Sequence, residues 1–431
     1  MTNNKKLNIA IIGLGNIGSY LFKYLNENKK ILTEKNNCTP NIIFVSARNK
    51  LRKRSINIKK KQWLNNYLDA PKNKNIDLIV ELIGGAEGPA KKLVFNALKN
   101  KKHVVTANKA LIAKYGDQLA KIAEKNKVNL EFEAAVCGGV PIIRSLKEGL
   151  IANKISKIYG ILNGTSNYIL STMHKHNKNF NEVLNNAKKL GYAESNPSED
   201  LNGNDVAAKL KILSSLCFNS FLNHNIYVEG IKAIDKTDID NANKLGYKIK
   251  LLGYSELINN KIYQRVHPTL IKNSSYVASI DGVLNAVLVH GNPVGLSSIQ
   301  GEGAGPMATT SALVSDISSI LRGNIKFPFS LSDKERKKLK FNNISDRMFS
   351  AYLRFEVLDK PGVLSDITKI FSKNKVSIKR LIQNPNKGKK SSSIIIITHS
   401  SKDRFLKKII KKISGKNFIK KKPNLIRIDE N

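Results

Sequence analysis

A short apolar run closed by three spaced glycines constrains this chain more than any other feature. Residues 7–12 read Leu-Asn-Ile-Ala-Ile-Ile and lead into Gly13, Leu14, Gly15, Asn16, Ile17 and Gly18. A brief apolar run ending in glycine reads as a buried strand, and residues 18–26 read as the helix after it. In that context the glycines allow a tight turn, close approach of the backbone to a pyrophosphate and close helix–strand packing. The segment is therefore expected to be the first βα turn of a dinucleotide-binding domain.

Further strands are expected at 42–47, 76–83, 103–106 and 128–135, with helices at 88–100 and 115–125. Strands alternating with helices imply a parallel sheet covered on both faces. From about 151 the pattern changes. Strand-like stretches at 154–162, 261–267 and 286–290 mix with helical ones at 180–190 and 205–218, so an α+β substrate domain is expected over 151–300. A glycine-rich turn, 301–305, and a helix, 308–321, should return to complete the first domain, 1–150. Residues 330–348 are polar and charged and read as a linker. Residues 349–431 read as a compact βαββαβ unit, with strands at 351–358, 376–382 and 393–398 and helices at 363–373 and 403–413.

The net charge of +40 raises the question of nucleic acid or an anionic membrane. The lysines are dispersed, and the densest cluster, 407–422, lacks the interleaved aromatics of a stacking platform, so neither partner is expected. No stretch approaches the roughly 18 apolar residues that span a bilayer. Three scattered cysteines without a Cys-x-x-Cys suggest a reducing cytoplasm and no zinc site.

Residues 194–209 carry the clearest chemical signal. Asp205 and Lys209 are four apart and share a helix face, with Glu194 upstream. A lysine flanked by carboxylates can exchange a proton with a hydroxyl as hydride leaves or arrives, provided that desolvation or a second lysine brings its pKa down. Thr106 and Lys109 end an expected strand, at the edge where ligands bind in this fold class. No acidic residue follows the second strand to bind a ribose. Arg48, Arg52, Lys53 and Arg54 stand there instead, which suits a 2′-phosphate and favours NADP(H) over NAD(H). Cys137 offers an alternative, a thiol-dependent semialdehyde dehydrogenase. A third reading is a regulator without catalysis, joining a silent nucleotide fold to a sensing domain.

Several motifs together resemble the homoserine dehydrogenase family, in its monofunctional bacterial form with a C-terminal ACT domain. They are 13–18, Glu81-Leu-Ile-Gly-Gly85, Val104-Val-Thr-Ala-Asn-Lys109, Phe132-Glu-Ala-Ala-Val-Cys-Gly-Gly-Val-Pro141, 160–168 and 191–209. The resemblance implies L-homoserine and L-aspartate 4-semialdehyde as substrate and product. It implies Lys209 as proton donor and acceptor, Lys109 as a second active-site lysine, and Glu194 and Asp205 as substrate ligands. Gly191 and Gly305 would line the nicotinamide end. A monovalent cation, usually sodium, would be held by Glu133, Val136, Gly138 and Val140, largely through backbone carbonyls. The segment 355–364 resembles an ACT ligand loop, which implies an amino-acid effector such as threonine and a homodimer or homotetramer. Asn196 and Asn204 depart from the family pattern, and no aspartokinase-like segment is expected.

Overall fold

The computed structural model describes residues 5–222, 226–385 and 390–429; the outermost residues of the expected first and last domains fall outside these. Five parallel strands open the chain: β1 (Lys5–Ile12), β2 (Cys38–Ser46), β3 (Leu78–Glu81), β4 (His103–Thr106) and β5 (Leu130–Glu131). Their order is β2-β1-β3-β4-β5. The chain thus leaves β1 toward one side and returns toward the other, which opens a crevice at the carboxyl ends of β1 and β3. The 13–18 loop, the turn after β3 and the turn after β4 all lie on that edge. Buried Ile and Val fill the strands, and the Pro306–Leu321 helix packs on the same core as the Asn16–Glu27 helix. The fifth strand is far shorter than the sequence suggests, because the chain turns at Phe132 into a single tight helical turn, Glu133–Ala135.

The glycine loop shows why two of its glycines are needed. A Cβ on Gly18 would lie 2.0 Å from the Gly13 carbonyl oxygen, and one on Gly13 would lie 2.4 Å from that of Leu82. Gly15 differs: a Cβ there would meet nothing within 4 Å. Its space is open toward the crevice.

The second sheet contains β6 (Lys154–Ile161), β7 (Tyr227–Val228), β8 (Tyr247–Ile258), β9 (Lys261–Lys272), β10 (Leu284–Asn292), β11 (Gly295–Glu302), β12 (Lys340–Phe341), β13 (Met348–Leu358), β14 (Ile378–Pro385), β15 (Ser391–Thr398), β16 (Ser401–Lys402) and β17 (Asn424–Asp429). Its main path is β11-β10-β6-β8-β9-β17-β13-β15-β14. The substrate unit and the ACT-like unit therefore share one sheet, joined where β17 pairs parallel with β9 and antiparallel with β13. Residues 330–348, expected as a linker, pack against the body. Arg336 is buried and donates to Asp117 (2.6 Å), Ser215 and the Ser220 carbonyl, and β12 pairs with β9. Polar composition misleads here because one charge, Arg336, is buried among fixed partners.

Candidate active site

The site forms where the crevice of the first sheet meets the Asn204–Phe218 helix. That helix starts at Gly203, whose φ of +84° suits glycine, and it places Asp205 in its first turn and Lys209 one turn on. A carboxylate in a first turn also meets the positive end of the helix dipole. Lys109 opens the Lys109–Asn126 helix immediately after β4. Asn108 fixes that entry by accepting from the Leu111 amide (3.0 Å) and donating to the Gly85 carbonyl (2.7 Å). Below it, buried Glu81 accepts from the Thr106 hydroxyl (2.6 Å) and from the Ile83 and Gly84 amides (2.7 and 3.0 Å). The turns after β3 and β4 are thereby tied together.

Asp205 is the centre of the arrangement. One of its oxygens lies 3.0 Å from the Lys109 ammonium and the other 2.8 Å from that of Lys209. Asn163 donates to the second oxygen at 2.8 Å, and its amide also reaches Asp200 at 2.7 Å. Lys209 donates in addition to the Leu162 carbonyl at 2.7 Å. Asp205 and Lys209 are buried, whereas the Lys109 side chain is 41% exposed and faces the crevice. Burial works against ionisation of Asp205, but Lys209 and Lys109 outweigh it and hold the carboxyl well below the usual carboxylate range. Burial likewise opposes the charge on Lys209, yet Asp205 prevails and keeps its pKa above the ordinary lysine value. The downward tuning expected from the sequence is thus reversed: the resting group is an ammonium, ready to donate. Asp200 is pushed up, by burial and then by Asp205.

The structure brings Lys109, Asp205 and Lys209 together but not Glu194, which lies exposed on the loop after Gly191. Gly191 and Gly305 have φ of +76° and +113°, and neither would bring a Cβ within 4 Å of another atom. Two members escaped the sequence reading. Asp200 gave no spacing signal toward Lys209, and Asn163 sits in a quoted motif whose asparagine caps the Gly164–His176 helix.

At the glycine loop a cavity of about 370 Å³ is lined by Gly15, Asn16, Arg52, Lys53, Arg54 and Pro306 among others. Arg54 is committed to the Leu14, Asn49 and Arg52 carbonyls, and Lys23, Arg52 and Lys53 are the other cations of the lining. Arg48 is exposed at the end of β2. Two helix N-termini, at Asn16 and Pro306, meet this cavity, an arrangement that suits an anionic dinucleotide.

The 133–140 turn is folded back by successive residues of positive φ, Cys137 (+56°) and Gly138 (+47°). A Cβ on Gly138 would lie 2.7 Å from the Gly303 carbonyl oxygen, so the returning glycine-rich segment closes over this turn. The Glu133 carboxylate accepts from the Ile143 and Arg144 amides (2.8 and 2.7 Å), and burial pushes its pKa up to about 7. Among the described residues no three His, Cys, Asp or Glu cluster as metal ligands. Cys137 is buried and burial pushes its thiol up, the opposite of an activated nucleophile. The thiol alternative has no support in this geometry.

Family models agree with this arrangement. The homoserine dehydrogenase NAD-binding domain matches residues 13–133, homoserine dehydrogenase 141–318 and the ACT domain 351–414. A homoserine dehydrogenase of Neisseria gonorrhoeae is 38% identical over 99% of both chains. Among solved structures, a homoserine dehydrogenase from Thiobacillus denitrificans superposes with a TM-score of 0.91 at 38% identity, covering 99% of this chain and 98% of that one. The enzyme of S. aureus gives 0.76 at 34% identity, covering 99% of each chain. A sequence match over the whole length, a shared fold and a lysine–aspartate–lysine centre on a dinucleotide crevice place the chain in the homoserine dehydrogenase family.

Proposed function

We propose that this NAD(P)-dependent oxidoreductase interconverts L-homoserine and L-aspartate 4-semialdehyde with a preference for NADP(H), on the route to threonine and methionine. The observation that carries this reading is the Lys109–Asp205–Lys209 bridge, which spans the dinucleotide crevice and the substrate unit. Bound NADP(H) would supply or take up the hydride at substrate C4. Lys209 gives its proton to the aldehyde oxygen in reduction and takes it back from the hydroxyl in oxidation. Lys109, held by the same carboxylate, faces the developing alkoxide and stabilises its charge. Asp205 fixes both ammonium groups, and Glu194, from its exposed loop, meets the substrate amino group. Oxygen donors along 133–140 fit a sodium ion held by Glu133, Val136, Gly138 and Val140. Cytoplasmic placement is supported by three free, buried cysteines, and no described helix is long and apolar enough to cross a membrane. We read the assembly as a homodimer or homotetramer paired through ACT-type units.

The coenzyme reading is tested by the initial rate of absorbance gain at 340 nm with L-homoserine and either NADP+ or NAD+. NADP+ should give the higher kcat/KM. The double variant Arg52→Ala/Lys53→Ala should lose about tenfold or more with NADP+ and little with NAD+, since each charge-assisted contact to a phosphate contributes about 1.5–3 kcal/mol. Equal losses with both coenzymes would remove the 2′-phosphate from these residues.

The ACT unit carries a cavity of about 380 Å³ at the 357–364 turn, lined by Asp359, Pro361 and Gly362. Threonine is the proposed effector there. Saturating threonine should lower homoserine-dependent activity and raise the melting temperature; unchanged values of both would dismiss it.

A further inference from the structure

A second charged cavity, of about 400 Å³, lies at the seam where β8 and β9 of the substrate unit meet β13 and β17 of the ACT unit. It is apart from the catalytic crevice and from the 357–364 turn. Four cations line it, Lys157, Arg265, Arg347 and Arg427, against two carboxylates, Glu256 and Asp429. The acids are already engaged. Glu256 pairs with Arg265 at 2.9 Å and also with Arg347, and Asp429 accepts from the Tyr254 hydroxyl at 2.7 Å.

Arg265 is the telling residue. It is 6% exposed, its guanidinium stacks 4.3 Å from the Tyr254 ring, and only one of its three nitrogens is paired. Its Nε and Nη1 are buried without a hydrogen-bond partner, and so is Nε of Arg347. Leaving N–H groups of a buried cation unmet costs far more than leaving them in water. Arg427 differs, being satisfied by Asp403 and Glu229 at 2.7 and 2.6 Å. Lys157 closes the rim, its ammonium 4.6 Å from the Tyr159 ring and 5.7 Å from that of Tyr254. Burial, then Arg427 and Arg265, push the His267 pKa well below its ordinary value.

We propose that this seam cavity binds a small oxyanion, a carboxylate or a phosphate, on Arg265, Arg347 and Lys157. An oxyanion supplies acceptors for the unmet nitrogens and offsets the excess positive charge. It would also fasten the ACT strands to the sheet that backs the catalytic helix. Tyr254, which lines the cavity, follows Gly253, and a Cβ on Gly253 would lie 3.0 Å from Val206 of the helix that carries Asp205 and Lys209.

The test is calorimetric titration and thermal unfolding of the full chain in chloride buffer at fixed ionic strength, with inorganic phosphate and with malonate in separate runs. Saturable binding of one anion per chain is expected, with a melting temperature that climbs with its concentration. The anion that binds more tightly identifies the source as phosphate or carboxylate. Arg265→Leu and Lys157→Met should each weaken binding about tenfold or more, the loss of one charge-assisted hydrogen bond. Lys157 is half-buried at the rim, so that variant keeps the test decisive if Arg265→Leu fails to fold. No saturable binding of either anion in the millimolar range would overturn the proposal. So would undiminished binding in Lys157→Met and in any folded Arg265 variant, which would place the anion elsewhere, such as at the cofactor loop.

Discussion

Asp205→Asn is expected to lower kcat by about 10²–10⁴, the usual range for removing a group that sets up proton transfer, and to lower stability by about 3–5 kcal/mol. The side chain keeps its size and can still bond to Asn163, but the two lysines lose their shared counter-ion. Lys209 is then a buried cation with only the Leu162 carbonyl for a partner. Desolvation, no longer countered by Asp205, drives its pKa down. The pH profile of semialdehyde reduction should therefore lose its alkaline plateau and fall at lower pH than in the parent enzyme. Oxidation, which needs the neutral amine, should lose less near neutral pH than reduction does. An unchanged alkaline limb would mean that Asp205 does not set the proton affinity of Lys209.

The same pair makes stability depend on pH in two ways. The folded-state pKa of Asp205 is depressed, so its contribution is full above the unfolded carboxylate value and fades as pH falls through the depressed one. The folded-state pKa of Lys209 is raised, so its contribution is present below the unfolded lysine value and fades as pH climbs through the raised one. Neither titrates near neutrality.

Lys209→Met should cost about 10²–10⁴ in kcat as well, but with little loss of stability. Methionine is apolar and of similar length, and Asp205 retains Lys109 and Asn163. Dinucleotide affinity should not change, because the Arg52–Lys53 edge and the Gly15 loop lie elsewhere in the crevice. Steady-state rates and coenzyme fluorescence titration separate the two effects. Loss of coenzyme binding in parallel with kcat would make Lys209 a structural support of the crevice rather than the acid.

The parts of this molecule that a sequence reading reaches are those written in local spacing. The 13–18 glycines announce a strand, a turn and a helix, and Gly13 and Gly18 are held to glycine by close backbone contacts. Asp205 and Lys209 are one helical turn apart, so their pairing is visible before any fold is known. Lys109 is placed by its position at the end of a strand. Long-range pairings leave no such trace. Asn163 and the Leu162 carbonyl reach Asp205 and Lys209 from more than 40 residues away, and Asn163 ties Asp200 to the same group. The β9–β17 pairing that fuses two expected domains into one sheet joins residues more than 150 apart. The polar stretch 330–348 reads as a linker because composition cannot report that Arg336 has a buried socket among Asp117, Ser215 and Ser220. The direction of the Lys209 pKa could not be read either, since it depends on whether burial or Asp205 prevails.

The central claim is that Lys209 delivers and removes the substrate proton at the dinucleotide crevice. A single turnover tests it most directly: protein loaded with NADP+ is mixed with excess L-homoserine in sodium-containing buffer, and absorbance at 340 nm is followed for the parent chain and for Lys209→Met. The account predicts a rapid homoserine-dependent rise in the parent and almost none in the variant, although both bind the coenzyme. Equal rates in the two proteins, or a folded, coenzyme-bound parent that gives no homoserine-dependent rise, would contradict it.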